Sequence, residues 1–142
     1  MTVNELVEHV EITIQAGLGE SFSKLTHVND ISKNKYKNAA QRFGVLIDPS
    51  SENTAVLGQY YIDQEIEVVL TNQYKVSEIT SDLDQRTKAI ILTDKSKNLF
   101  KKIVMAPMAG LRQVKDLSIK SPEYDTKNHT VIQRFTFVMT YK

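Results

Sequence analysis

The stretch GQYYIDQEIEVVLTNQY, residues 58–74, constrains this chain more than any other. Tyr60, Ile62, Ile66, Val68 and Leu70 fall on one face, broken only by Gln64, and Tyr61, Asp63, Glu65 and Glu67 fall on the other. Side chains of a strand alternate between faces, so this period-two pattern describes one strand with a core-facing apolar side and an acidic side. At a rise of about 3.3 Å per residue, about twelve such residues span about 40 Å, roughly twice the usual strand length. A strand of that length either bends or projects beyond its own domain.

The rest of the chain supplies elements to pack against it. Thr2-Val3-Asn4-Glu5 reads as a capping box, in which the threonine hydroxyl and the glutamate carboxylate satisfy amides at a helix start. Val3, Leu6, Val7, Val10 and Ile14 follow at helical spacing, and Ala16-Gly17-Leu18-Gly19 supplies the stop. Phe22 to Val28 is a weak strand candidate, the polar run from Asn29 to Gln41 reads as a loop, and Arg42 to Asp48 is an apolar strand. Asp48 to Gly58, with Asp-Pro, two serines and Asn, reads as a loop or hairpin connection. A second helix of about twenty residues starts near Ser81, with Asp82 and Asp84 in its first turn to complement the helix dipole. Leu83, Ala89, Ile90, Ile91, Leu92, Leu99, Phe100, Ile103 and Val104 give it a broad apolar stripe, and Pro107 and Gly110 end it. Two strands close the chain, Val114 to Lys120 and Thr130 to Tyr141, joined by a turn over Ser121 to Asn128. Pro49, Pro107 and Pro122 all lie between elements.

This order lacks the regular strand–helix alternation of a parallel sheet. The expected architecture is α+β: one domain over residues 1–142, with a mostly antiparallel or mixed sheet and two main helices on one face. A chain of 142 residues can bury a sizeable core without staples, and with no cysteine it has neither a disulfide framework nor a thiolate metal site. Eighteen basic against seventeen acidic residues leave a net charge of +1, so any charge-based function has to be local. The apolar runs fall far short of the roughly 20 residues that cross a bilayer, and MTVNELVEHVEI carries acids where a signal peptide needs a positive region. No membrane partner is therefore expected.

Chemistry-bearing motifs are sparse. His9, His27 and His129 are isolated, with no second ligand at the spacing that places two on one helix face. No Gly-x-Ser-x-Gly turn presents a nucleophile, and Gly17-Leu18-Gly19-Glu20-Ser21 follows a helix where a phosphate loop would open one. No catalytic residue, metal site or cofactor is expected, and the chain does not read as an enzyme. Three surfaces remain. Asp63, Glu65 and Glu67 form an acidic row, either a solvated outer face or a lining that repels DNA phosphates. Lys33, Lys35, Tyr36 and Lys37 interleave cations with an aromatic, as in a loop that tracks a nucleic-acid backbone. Val104 to Leu111 is an apolar linker bearing methionines, suited to an interface or to the core.

Taken together, the N-terminal amphipathic helix, RFGVLIDPSS, the long GQYYIDQEIEVVLTNQY strand, the Ser-Asp-Leu-Asp helix running to LFKKIV and the final SIKSPEYDTKNHTVIQRFTFVMTYK hairpin resemble the tail terminator and tail-completion proteins of long-tailed bacteriophages. The resemblance covers residues 2–17 and 42–142 and rests on element order and texture. It implies a small α+β subunit that forms a ring, six-membered in that family, on the end of the tail tube. The ring stops tube polymerisation and docks to the head-completion or connector protein, and the genome passes through its channel without sequence recognition. Its place is the virion tail or neck, assembled in the host cytoplasm, and its partners are copies of itself, the tail tube protein and the connector. Contacts are then expected in the loops around Asp48, Pro49 and Glu52 and around Met105, Pro107, Met108, Leu111 and Arg112. Alternative readings are another neck, head-completion or baseplate protein, or, in a different class, a small nucleic-acid-binding module working through Lys33, Lys35, Tyr36 and Lys37.

Overall fold

The computed structural model describes residues 2–25, 41–47, 53–56, 61–74, 82–127 and 129–142. Helix α1 (Val3–Leu18) starts where the sequence places it. The Thr2 hydroxyl accepts from the Glu5 amide and the Glu5 carboxylate accepts from the Thr2 amide, both at 3.2 Å, completing the capping box. The helix ends at Gly19, whose φ of 73° lies in the left-handed region that costs a glycine nothing. A single turn of 3-10 helix, Gly19–Ser21, follows. Thr2→Ala removes one side of the box and is expected to lower stability by about 1 kcal/mol, measured as a shift in the urea midpoint at unchanged slope.

Strands β1 (Ser23–Lys24), β2 (Gln41–Ile47), β3 (Asn53–Val56) and β4 (Tyr61–Gln73) come next, then α2 (Asp82–Met105), β5 (Leu111–Ile119), β6 (Glu123–Asp125) and β7 (Thr130–Tyr141). They form one mixed seven-stranded sheet along the path β1-β2-β4-β7-β5. β1 runs parallel to β2, and every other pairing among the described residues is antiparallel. The α+β class with a mixed sheet is what the element order implied.

The two long strands, β4 and β7, pair with each other from Ile62↔Tyr141 to Gln73↔Thr130. Each then divides its other edge between two shorter partners. β2 covers Ile66 to Asn72 of β4 and β3 covers Tyr61 to Asp63, while β5 covers Phe135 to Tyr141 of β7 and β6 covers Thr130 to Ile132. The long strand therefore does not project beyond its domain, as its length alone allowed. Its length is matched by β7 on one edge and by two shorter partners on the other, which pairs most of its backbone groups within the chain.

Both helices lie on one face of the sheet. Leu6, Val10 and Ile14 of α1 and Ala89, Leu92, Leu99 and Ile103 of α2 bury against Phe43, Ile66, Val68, Leu70, Phe135, Phe137, Met139 and Tyr141. The alternation in β4 and β7 brings these sheet residues to the same side, and each fully buried aliphatic chain contributes about 1.5–3 kcal/mol. The opposite face is not wholly solvated. Val69 and Ile132 are buried there with Leu25 and Leu46 packed against them.

Helix α2 departs from the sequence reading in one respect that matters for function. Of the broad apolar stripe, Ala89, Leu92, Leu99 and Ile103 are buried, whereas Leu83, Ile90, Ile91 and Val104 stay exposed, together with Met105. With about 3.6 residues per turn, those two sets point in opposite directions, and one helix face can meet one sheet. Sequence counted the apolar residues; packing divided them.

Candidate functional surfaces

The acidic row of β4 lies on the sheet face away from the helices, and it is not left as bare negative charge. Asp63 accepts a hydrogen bond from the Thr140 hydroxyl, its register partner on β7, and pairs with Lys115 of β5 at 3.1 Å. Glu67 pairs with Arg134 of β7 at 3.4 Å, and the same guanidinium reaches Glu123 of β6 at 3.3 Å. Glu65, exposed between them, makes no ion pair among the described residues. Strand pairing thus sets a cation from a neighbouring strand against two of the three acids. The result is a mixed-charge face, whose half-exposed pairs each add about 0.2–1 kcal/mol.

The edge of the sheet at β5 is guarded. The register with β7 shifts between Leu111 and Gln113 and again between Lys115 and Ser118, and Asp116 sits at φ 59° within the second bulge. Bulges and charges on an edge strand interrupt the flat ladder that another strand would need.

The linker after α2 divides in the same way as the helix. Met105 is 81% exposed and Pro107 is exposed, whereas Leu111 packs against the core and Met108 is half-buried. Arg112, although exposed, lies over the Tyr61 ring at 4.7 Å, with the Lys142 ammonium at 6.0 Å. Asp48, Pro49 and Glu52, and the basic group Lys33, Lys35, Tyr36 and Lys37, lie outside the described residues.

Among the histidines, His9 is half-buried on α1 and His129 occupies the turn before β7, with φ 51° and its carbonyl accepting from the Tyr74 amide at 2.8 Å. His27 lies outside the described residues. No group of three or more His, Asp or Glu among the described residues is placed to hold a metal ion. No helix among them is long and apolar enough to cross a membrane.

Sequence reasoning missed one feature. Gln133, wholly buried on the core side of β7, accepts from the Thr93 hydroxyl of α2 at 2.9 Å and donates to the carbonyls of Lys120 at 2.6 Å and Arg134 at 3.1 Å. Its signal was present, since position 133 belongs to the apolar face Val131, Phe135, Phe137, and a glutamine there asks for partners. The basic C-terminal half of α2, by contrast, is legible in the sequence: Lys95, Lys97, Lys101 and Lys102, with no acid between Lys95 and Met105, where they complement the helix dipole. None of the four forms an ion pair with the described residues. Lys95, Lys101 and Lys102 border a cavity of about 350 Å³ between the C-terminal parts of the two helices, lined also by Gly17, Leu18, Leu99 and Met105. The helices come close because Gly17 has no side chain; a Cβ there would stand 2.9 Å from Leu99 Cδ2.

Compared with known proteins, the chain matches no family model and no curated protein sequence.

Proposed function

We propose that this chain is a structural subunit of a long-tailed bacteriophage particle, a tail terminator that forms a ring, six-membered by the resemblance, on the end of the tail tube and docks to the connector. The observation that carries the reading is the solvent side of α2, where Leu83, Ile90, Ile91, Val104 and Met105 are 43–81% exposed. Large apolar side chains repeated along one exposed helix face are the signature of a surface that another protein covers. The element order, with an N-terminal capped helix, a long central strand, a second helix and a closing hairpin, supports the same reading through its resemblance to the tail terminator family.

In this reading the subunit works by shape and stickiness rather than by turnover. Its helix layer supplies contact area and its sheet supplies a stiff plate. The genome passes the ring without sequence recognition, and the face bearing Asp63, Glu65 and Glu67 offers DNA paired charge in place of the cationic track that phosphate binding requires.

The deciding experiment is co-assembly with the tail tube protein, with tube length followed by negative-stain electron microscopy. Tubes grown with the chain are expected to stop at a limited length and to carry extra density at one end. Tubes that lengthen as they do without it, with bare ends, would reject the terminator reading.

A further inference from the structure

We propose that the outward ridge of α1 docks into the lysine-bordered groove beside α2 of a second copy of this chain. The proposal deepens the ring-forming reading and rests on it for the identity of the occupant. Glu8, Ile12, Ala16 and Glu20 recur every four residues, the first three on α1 and the last in the turn that follows, and all four are exposed. Ile12 is 69% exposed, on a helix whose other face is packed. Ala16 and Gly19 beside it leave a shallow hollow on the same ridge.

The two helices carry opposite charge. α1 has three acids and no Lys or Arg; Glu5 is held in the capping box and Glu11 by Lys24 at 2.7 Å, which leaves Glu8 without an ion pair among the described residues. Glu20 likewise makes none among the described residues. On α2, Lys97, Lys101 and Met105 form an exposed row at the same four-residue spacing, with Lys102 and Lys95 on the groove side. Rows spaced by four residues are the ridges that interdigitate when helices pack. Seating Ile12 against Met105 removes two of the most exposed apolar side chains from water and brings the Glu8 and Glu20 carboxylates to the lysine ammonium groups of α2. Methionine adapts its shape to such a contact.

The same lysines could attract a nucleic-acid backbone, but phosphates give Ile12 and Met105 nothing to pack against. Ridge and groove share no residue, so copies can add head to tail, and the same contact made twice across a two-fold axis gives a closed dimer.

The test is sedimentation or light scattering over a concentration series for the native chain, for Glu8→Lys, for Lys101→Glu and for a 1:1 mixture of the two variants. Both positions are exposed, and unchanged thermal melts establish that the variants fold. The native chain is expected to self-associate. Each single variant should need about tenfold more protein or greater to do so. The mixture should recover the native midpoint, because each variant then supplies the charge its partner lacks. Variants that associate like the native chain would overturn the contact, as would a mixture that fails to recover. A native chain that stays monomeric and instead binds a short DNA duplex through Lys101 would overturn it too. Rings that persist in both variants would remove this contact and leave the ring reading standing; a native chain that saturates as a dimer would sustain the contact and count against the ring.

Discussion

Replacing Phe137 by alanine is expected to lower the unfolding free energy by about 3–5 kcal/mol, the range for emptying a fully buried aromatic site. Phe137 is wholly buried at the middle of β7, opposite Ile66 of β4. Its ring lies 6.0 Å from that of Phe135 and 6.0 Å from that of Phe100 on α2, so it joins the sheet to the helix layer. Neither long strand can close around the void, because each is held by ladders on both edges. The loss is a large share of the roughly 5–15 kcal/mol that a domain commands, and urea denaturation should show it as a fall in midpoint. Phe100→Ala serves as the comparison. Phe100 is only half-buried, so a smaller loss is expected; equal losses would mean that the core is not centred on β7.

Gln133→Leu should cost about 1–3 kcal/mol even though leucine is apolar and of similar volume. The glutamine amide donates to the Lys120 carbonyl at the exit of β5, and its oxygen receives the Thr93 hydroxyl from α2. Leucine leaves the Lys120 carbonyl short of that donor. The Thr93 hydroxyl has a second acceptor, the Ala89 carbonyl at 3.0 Å, so the deficit falls mainly on the β5 side. Amide hydrogen exchange should therefore quicken around residues 118–121 more than in α2. A loss below about 0.5 kcal/mol, or faster exchange confined to α2, would show that this side chain does not tie the β5 exit to the core.

Local pattern made much of this molecule legible. The capping box, the Gly19 stop and the face Leu6, Val10, Ile14 were readable because a helix end and a helix face are decided within a few turns. β4 and β7 were readable because strict alternation over a dozen positions has one structural meaning. β3 and β6 were not. Asn53–Val56 and Glu123–Asp125 are strands only because the unfilled ends of β4 and β7 lie beside them, and in sequence each sits in a segment that reads as a loop or turn.

Candidate surfaces divide along the same line. The row Asp63, Glu65, Glu67 is visible in the sequence, but Lys115 and Arg134 are 52 and 67 positions away from Asp63 and Glu67, so its partial neutralisation depends on strand order. The lysine-rich end of α2 is equally plain as composition. That it borders a groove follows from Gly17 letting α1 approach Leu99.

What the sequence by itself determined is the set of elements with strong local periodicity, the α+β class that their order implies, and one apolar face for each. What only the tertiary structure decided is how surplus apolar and charged residues are shared between core and surface. Leu83, Ile90, Ile91 and Val104 look like core in the sequence and stand in solvent in the fold. A helix can turn only one side to a sheet, and which residues that side holds is settled by packing across the whole chain.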